Sequence, residues 1–410
     1  MPAQSPSLLA RFRRLFSVTA LQRLIPSLRH PHGFYLLCWA VFCERWAAAI
    51  LGSSVVLMLC EQYGYPRGDA LRLAGLYNAA SYLLTLPGGF VVDRSLGGRR
   101  SLGAGMVLLM LGYAAMTQSS ASVLWISTPL LILGHALFKP STQAVMVLLY
   151  ERHDPRLDAA QLTCYLVVNI AGVVGTASAG LLGRSHDFRA SFGLAAAVLL
   201  VGLMAVRAGN HVLRLRQKQP AFSAPAVTPP IELSARQRIK IVAALTLAMM
   251  SFTVGFGQVE GALLMWAQDR TDRILLGFEL PAAWFVGLPS LLVLLLAPAQ
   301  LAFLPRIQRQ VSTPRLIALG LVSVVLAFAV LIPPAVLSPG QRVSMAWLIA
   351  CMTLLVIGEL LVAPLGLSLL LRLAPPRFVG AMVGVWYVAG ALGCWLAGEI
   401  GAACMKRLLI

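Results

Sequence analysis

Apolar residues run in blocks separated by short polar breaks, at positions 33–61, 73–92, 101–117, 121–150, 157–183, 190–206, 241–267, 280–305, 316–337, 343–371 and 378–404. A bilayer core takes about twenty residues of α-helix, and only helices or closed barrels satisfy their backbone there. The pattern therefore predicts an all-α membrane protein of about eleven spans. The widest polar gap, 207–240, holds Gln217, Lys218, Gln219 and Pro220, then Thr228, Pro229 and Pro230. Proline and charge at that density predict a linker rather than a span. It separates a six-helix half, 33–206, from a half of about five helices, 241–410. Two related halves around a midplane site would supply six and six, so by this count a twelfth helix is absent.

Composition agrees: 59% of residues are hydrophobic and 12% charged, against about 25% charged in soluble domains. The formal charge of +18 would suggest nucleic acid in a soluble chain, but its distribution excludes that reading. With the N-terminus on the cytoplasmic side, 22 of the 33 lysines and arginines fall in the N-terminal tail and the loops of that same side. That is the positive-inside pattern, and it predicts a multi-pass protein of the cell (inner) membrane with the linker in the cytoplasm. Residues 1–32 carry Arg11, Arg13, Arg14 and Arg23 among leucines and phenylalanines. This composition interrupts any signal peptide and fits a basic amphipathic helix on the inner leaflet, or else a disordered basic tail. The seven cysteines lie inside spans without a CxxC pair and read as packing residues, so no metal or cofactor is expected. No Ser/His/Asp set or phosphate loop points to an enzyme.

Four charges interrupt the apolar blocks where lipid disfavours them. Glu44 and Arg45 sit partway along the first span, Lys139 in the fourth and Glu359 in the tenth. Such residues face a partner, a cavity or a proton path. A cation in one half and an anion in the other form a midplane dipole complementary to a zwitterion. His135 lies four residues before Lys139, on the same helix face, and titrates near physiological pH. It is a candidate proton carrier, or else a hydrogen-bonding residue between helices. After the second span, Gly88, Gly89, Asp93, Gly97, Arg99 and Arg100 punctuate a short loop. Its glycines permit close helix approach and its arginines sit at the inner leaflet, so it reads as a state-dependent gate latch or as a plain tight turn.

These residues, with others in order along the chain, carry a family resemblance. The loop matches GGxxADxxxGxx apart from Val92. Phe138, Lys139 and Pro140 match FKP, and Tyr165 to Asn169 match YxxxN. The run Leu280 to Phe285 is close to IPASWF, Gly358 to Ser368 to GELxxSPxGLS, and Met382 to Trp386 to MGxW. The chain resembles the proton-dependent oligopeptide transporter (POT) family of the major facilitator superfamily. The resemblance implies two pseudo-symmetric helical halves and a proton-coupled symporter that imports di- and tripeptides or peptide-like compounds by alternating access, with protons as the coupling ion. It implies that Lys139 takes the substrate carboxylate and Glu359 its ammonium, that Tyr82, Asn169, Gln258 and Trp386 complete the pocket, and that Glu44, Arg45 and Glu359 serve coupling; His135, outside the family pattern, would hold a proton in place of the missing acid or modulate Lys139. Asn169, Tyr82 and Trp386 also admit plain packing readings. A monomer bound to lipid and a small-molecule or peptide substrate is expected.

The first span departs from the family's ExxER pattern. Its first acid is Val41, its paired tyrosines are Ala48 and Ala49, and its second arginine is Gly52. In the seventh span the acid before Gln258 is Gly257, with Glu260 two residues on, and Pro289 replaces an asparagine in the eighth. These losses enlarge and depolarise the expected pocket. They keep open a carrier of a non-peptide or modified peptide, such as a metal chelator, and a transport-inactive membrane sensor.

Overall fold

The computed structural model describes residues 30–118, 120–150, 154, 156–183, 188–209, 213, 234–373 and 379–408. The expected N-terminal amphipathic segment and most of the linker lie outside the described residues. Every apolar block is helical: α1 His32–Glu61, α2 Arg67–Leu83, α3 Thr85–Val91, α4 Gly98–Ala115, α5 Leu124–Leu149, α6 Arg156–Leu182, α7 Arg189–Ala208, α8 Ala235–Phe256, α9 Ala262–Asp269, α10 Ala283–Ile307, α11 Thr313–Ala329, α12 Ile332–Leu337, α13 Met345–Leu373 and α14 Val379–Leu408. Among the described residues nine helices are long and apolar enough to cross a membrane. The second and third expected spans fall short of that mark, because α2 is only 17 residues long and α4 opens on Arg99 and Arg100.

Three spans are broken where the chemistry of the backbone breaks them. Pro87 lacks an N–H and its ring conflicts with the carbonyl four residues back, at Leu83, where α2 ends and α3 takes over. Pro333 and Pro334 open α12 and so separate it from α11. Between α8 and α9 the segment Gly257–Gly261 is a turn inside the apolar stretch, flanked by two glycines that weaken any helix. At one end of the bundle β1 Thr271–Asp272 pairs in parallel with β4 Val343–Ser344, and β2 Ile274–Leu275 with β3 Phe278–Glu279 in an antiparallel hairpin. These strands lay outside the expectation because two residues make no period.

Helices α1 to α7 pack around Phe34, Ile50, Leu102, Met106, Tyr113, Phe138 and Phe192, and α8 to α14 around a second buried cluster that includes Leu264, Leu348, Met352 and Leu355. The two bundles meet chiefly through α2 against α14 and α6 against α10. At the first seam the Gly75 and Gly398 backbones touch: a Cβ on Gly75 would stand 2.8 Å from the Gly398 Cα. Small residues at such crossings replace the hydrophobic driving force that lipid cannot supply. All seven cysteines are free, and the Cys38 and Cys164 thiols lie 3.7 Å apart between α1 and α6.

The tightest approach is Gly88 on α3 against α5, where an added Cβ would lie 1.9 Å from the Ala136 carbonyl oxygen. Gly88→Val should abolish the monodisperse, folded species in detergent, since the obstacle is backbone and cannot swing aside. Gly103→Val, whose Cβ meets nothing within 4 Å, should leave the melting temperature within a few degrees of the parent, because surface changes usually cost within about 0.5 kcal/mol.

Candidate functional site

Glu44 is 1% exposed and is gripped by its neighbour Arg45, with Nε donating to Oε2 at 2.7 Å and a terminal guanidinium nitrogen to Oε1 at 3.1 Å. Consecutive helical residues do not face one another, so Arg45 curls back to make this fork. On α5, His135 Nδ1 stands 3.0 Å from Glu44 Oε1, an ionic contact without hydrogen-bond alignment, and the Tyr77 ring stands edge-on to the imidazole at 6.4 Å. The helix periodicity thus brings His135 and Lys139 to the same side, toward α1 and α2.

Lys139 makes no ion pair among the described residues. Its Nζ lies 4.7 Å from the centre of the Tyr82 ring, a cation–π contact that supplies part of the solvation a membrane withholds. Arg45, Glu44, Cys394 and Glu260 are the charged or ionisable groups that act on it. Glu359, half-buried on α13, has the Tyr165 phenol of α6 as its interacting neighbour. Tyr165 also packs on Val293, Ala297, Val356 and Leu360 of α10 and α13. The cation belongs to one bundle and the anion to the other, and neither neutralises the other directly.

The remaining expected pocket residues divide. The Asn169 amide donates to the Tyr165 carbonyl of its own helix at 2.9 Å, which holds it beside the Tyr165 and Glu359 pair. Gln258 is engaged within its own bundle: its Nε2 donates to the Ala397 carbonyl at 3.0 Å and to the Val254 carbonyl at 3.2 Å, tying the broken seventh span to α14. Trp386 is buried with its indole over Gly366, where a Cβ would be 2.5 Å away, so in this conformation it fills the α13–α14 crossing opened by Pro364. Residues the sequence reasoning left aside enter instead. Asn78 on α2 donates to Glu260 Oε2 at 3.1 Å, and Tyr387 packs near Tyr82. Asn78 lies one helical turn before Tyr82, a spacing that carries the signal.

In the loop, Val92–Leu96 form a wide π-helical turn that ends at Gly97, whose φ of 75° suits glycine. Gly89 approaches Pro140 and Gly98 approaches Ala144 and Val145, while Asp93, Arg99 and Arg100 are exposed. The opposite end, around Tyr63, is closed between the bundles. Arg67 pairs with Asp269, Arg72 Nε with Glu399 at 3.0 Å, and the Trp284 indole donates to the Ala177 carbonyl at 3.1 Å beside Gly180. Among the described residues α5 makes no comparable packing against α13 or α14. The described contacts between the bundles are thus concentrated toward the Tyr63 end.

The family model of the Major Facilitator Superfamily matches residues 37–398. The chain belongs to this superfamily. Within it the resemblance is to the POT transporters. "Peptide transporter YePEPT" from Yersinia enterocolitica is 28% identical, aligned over 91% of this chain and 88% of its own. "Uncharacterized transporter YclF" from Bacillus subtilis (strain 168) is 27% identical over 88% and 86%, and "Dipeptide and tripeptide permease A" from Escherichia coli (strain K12) 24% identical over 90% and 84%. Among solved structures, a POT peptide transporter in complex with alafosfalin superposes with a TM-score of 0.85 at 24% identity, covering 94% of this chain and 93% of that one. A POT family transporter in complex with 5-aminolevulinic acid gives 0.85 at 21%, covering 93% and 92%. The fold is theirs.

The ion pairs at the Tyr63 end are partly exposed, so each contributes only about 0.2–1 kcal/mol. Replacing both Arg67 and Arg72 by Ala should shift the population toward a conformer open at that end by several-fold. Pulsed electron-spin distances between labels on Ser122 and Gln341 should then show a longer second component.

Proposed function

We propose that the protein is a proton-coupled symporter of di- and tripeptides or peptide-like compounds, a monomer in the inner membrane with its N-terminus in the cytoplasm. The single observation that carries this reading is the pair of poles without an ion-pair partner among the described residues, Lys139 on one bundle and Glu359 on the other. A zwitterion brings both counter-charges at once, its carboxylate to Lys139 and its ammonium to Glu359. The relatives named as peptide transporters support the same assignment. With the positive-inside orientation, the Asp93 end is cytoplasmic and the conformer described is inward-facing.

Transport follows from what the empty poles do. While Glu359 is ionised and vacant, bringing the bundles together would bury an unpaired anion, which costs several kcal/mol. Substrate, or a proton on the carboxylate, removes that penalty and lets the two halves rock about the α2–α14 and α6–α10 seams. The Glu44, Arg45 and His135 cluster is the second place for a coupling proton. One carboxylate there faces three basic groups, so a protonated His135 is favoured when the substrate carboxylate arrives beside Lys139. Coupling thereby works without the acid that Val41 replaces.

Reconstituted protein should accumulate dipeptide under an inwardly directed proton gradient and lose the accumulation on adding a protonophore. Lys139→Ala and Glu359→Gln should each lower uptake by thirty-fold or more, since truncating one side of a buried charge contact costs about 2–5 kcal/mol. Accumulation only of a non-peptide, or specific binding without flux, would refute the assignment. In a separate measurement, His135→Gln should flatten the pH dependence of uptake between pH 5.5 and 7.5; an unchanged profile would make His135 structural.

A further inference from the structure

The seventh span unwinds at Gly257–Gly261 inside the apolar stretch, and the one acid in that break, Glu260, serves none of the roles given above. Irregular backbone at membrane depth is tolerated where it lines a cavity, and discontinuous helices mark ligand sites in transporters. Asn78 donates to Glu260 Oε2 at 3.1 Å. The other oxygen fills the space a side chain would take at Gly52, 2.5 Å from an ideal Cβ there. No lysine, arginine or histidine is paired with Glu260 among the described residues. Arg45 and Lys139 act on it only at a distance, the first held by Glu44 and the second by Tyr82. The carboxylate borders a narrow crevice of about 30 Å³ lined by Leu71, Ala74, Gly75, Asn78, Gln258 and Cys394.

We propose that Glu260, oriented by Asn78, is a subsite for the ammonium or guanidinium of a cationic substrate side chain, making this carrier selective for basic peptides. The inference rests on the peptide-transport reading. A buried anion without a cation is costly unless a partner arrives, and the apolar side chains of Leu71 and Ala74 beside it are the surface that lysine and arginine methylenes pack on. Lys139 and Glu359 take the two peptide termini, which leaves the side chain for Glu260.

The test compares alanyl-alanine, alanyl-lysine and alanyl-glutamate as substrates of reconstituted protein. Wild type should show a KM for alanyl-lysine several-fold below that for alanyl-alanine. Glu260→Gln should raise the alanyl-lysine KM about tenfold more than the alanyl-alanine KM, and Glu260→Lys should shift the preference toward alanyl-glutamate. Asn78→Ala, which leaves the carboxylate in place, should weaken the lysine preference about threefold. Equal effects on all three peptides, or loss of pH-driven uptake for all of them, would overturn the subsite. If no peptide is transported, 1,5-diaminopentane serves as the probe. A thermal upshift in wild type that disappears in folded Glu260→Gln keeps the cation site although the transport reading fails; no upshift in wild type removes the site.

Discussion

A charge inside a membrane span must be matched by another, and among the described residues Lys139, Glu359 and Glu260 have no ion-pair partner within the protein. Glu44 has Arg45 and His135 around it, so that cluster is nearly self-sufficient. Among the described residues Lys139 has the face of Tyr82, and Glu359 the phenol of Tyr165, but neither has an ion pair. Because the unmatched cation and anion belong to different bundles, a ligand that satisfies both also joins the bundles. Electrostatics and conformational change are therefore one property of the fold.

The packing permits this because it is strong within each half and adjustable between them. Gly88 against Ala136 welds α3 to α5 with no space for a methyl group, whereas the seam at the Tyr63 end relies on glycine contacts and on ion pairs that water reaches. Tight crossings keep each half a rigid body. Weak closures of about 1 kcal/mol each keep the balance between conformers within reach of a ligand's differential affinity, which must supply roughly 5.5 kcal/mol to move a two-state equilibrium from 1:99 to 99:1.

Length and hydropathy made the spans readable, and the expected ends lie within a few residues of the helices, apart from the more polar outer turns of α2 and α8. The charges Glu44, Arg45, Lys139 and Glu359 stood out because polarity in an apolar run has few explanations. The i, i+4 spacing puts His135 and Lys139 on one helix face, and the structure turns that face toward Glu44 of α1 and Tyr82 of α2. What stayed hidden were relations between distant segments. That Gln258 donates to Ala397 and Trp386 covers Gly366 depends on how spans 7, 10 and 11 cross, which no periodicity encodes. The breaks near Pro87 and at Gly257–Gly261 were visible as residues, yet an apolar window of twenty averages over them.

Gly52 shows why substitutions in the first span cannot be counted as losses one at a time. Taken alone, glycine in place of a basic residue empties part of the cavity wall. Placed in the fold, the same glycine is what lets the Glu260 carboxylate reach the α1 backbone while Asn78 holds its other oxygen. A side chain at 52 would displace that carboxylate, and a basic one would neutralise it. The absence of the arginine and the presence of an available anion are thus a single feature. With Ala48 and Ala49 on the same helix, the first span presents few polar side chains, and under the proposed reading recognition falls to separated poles on α5, α13 and the unwound seventh span.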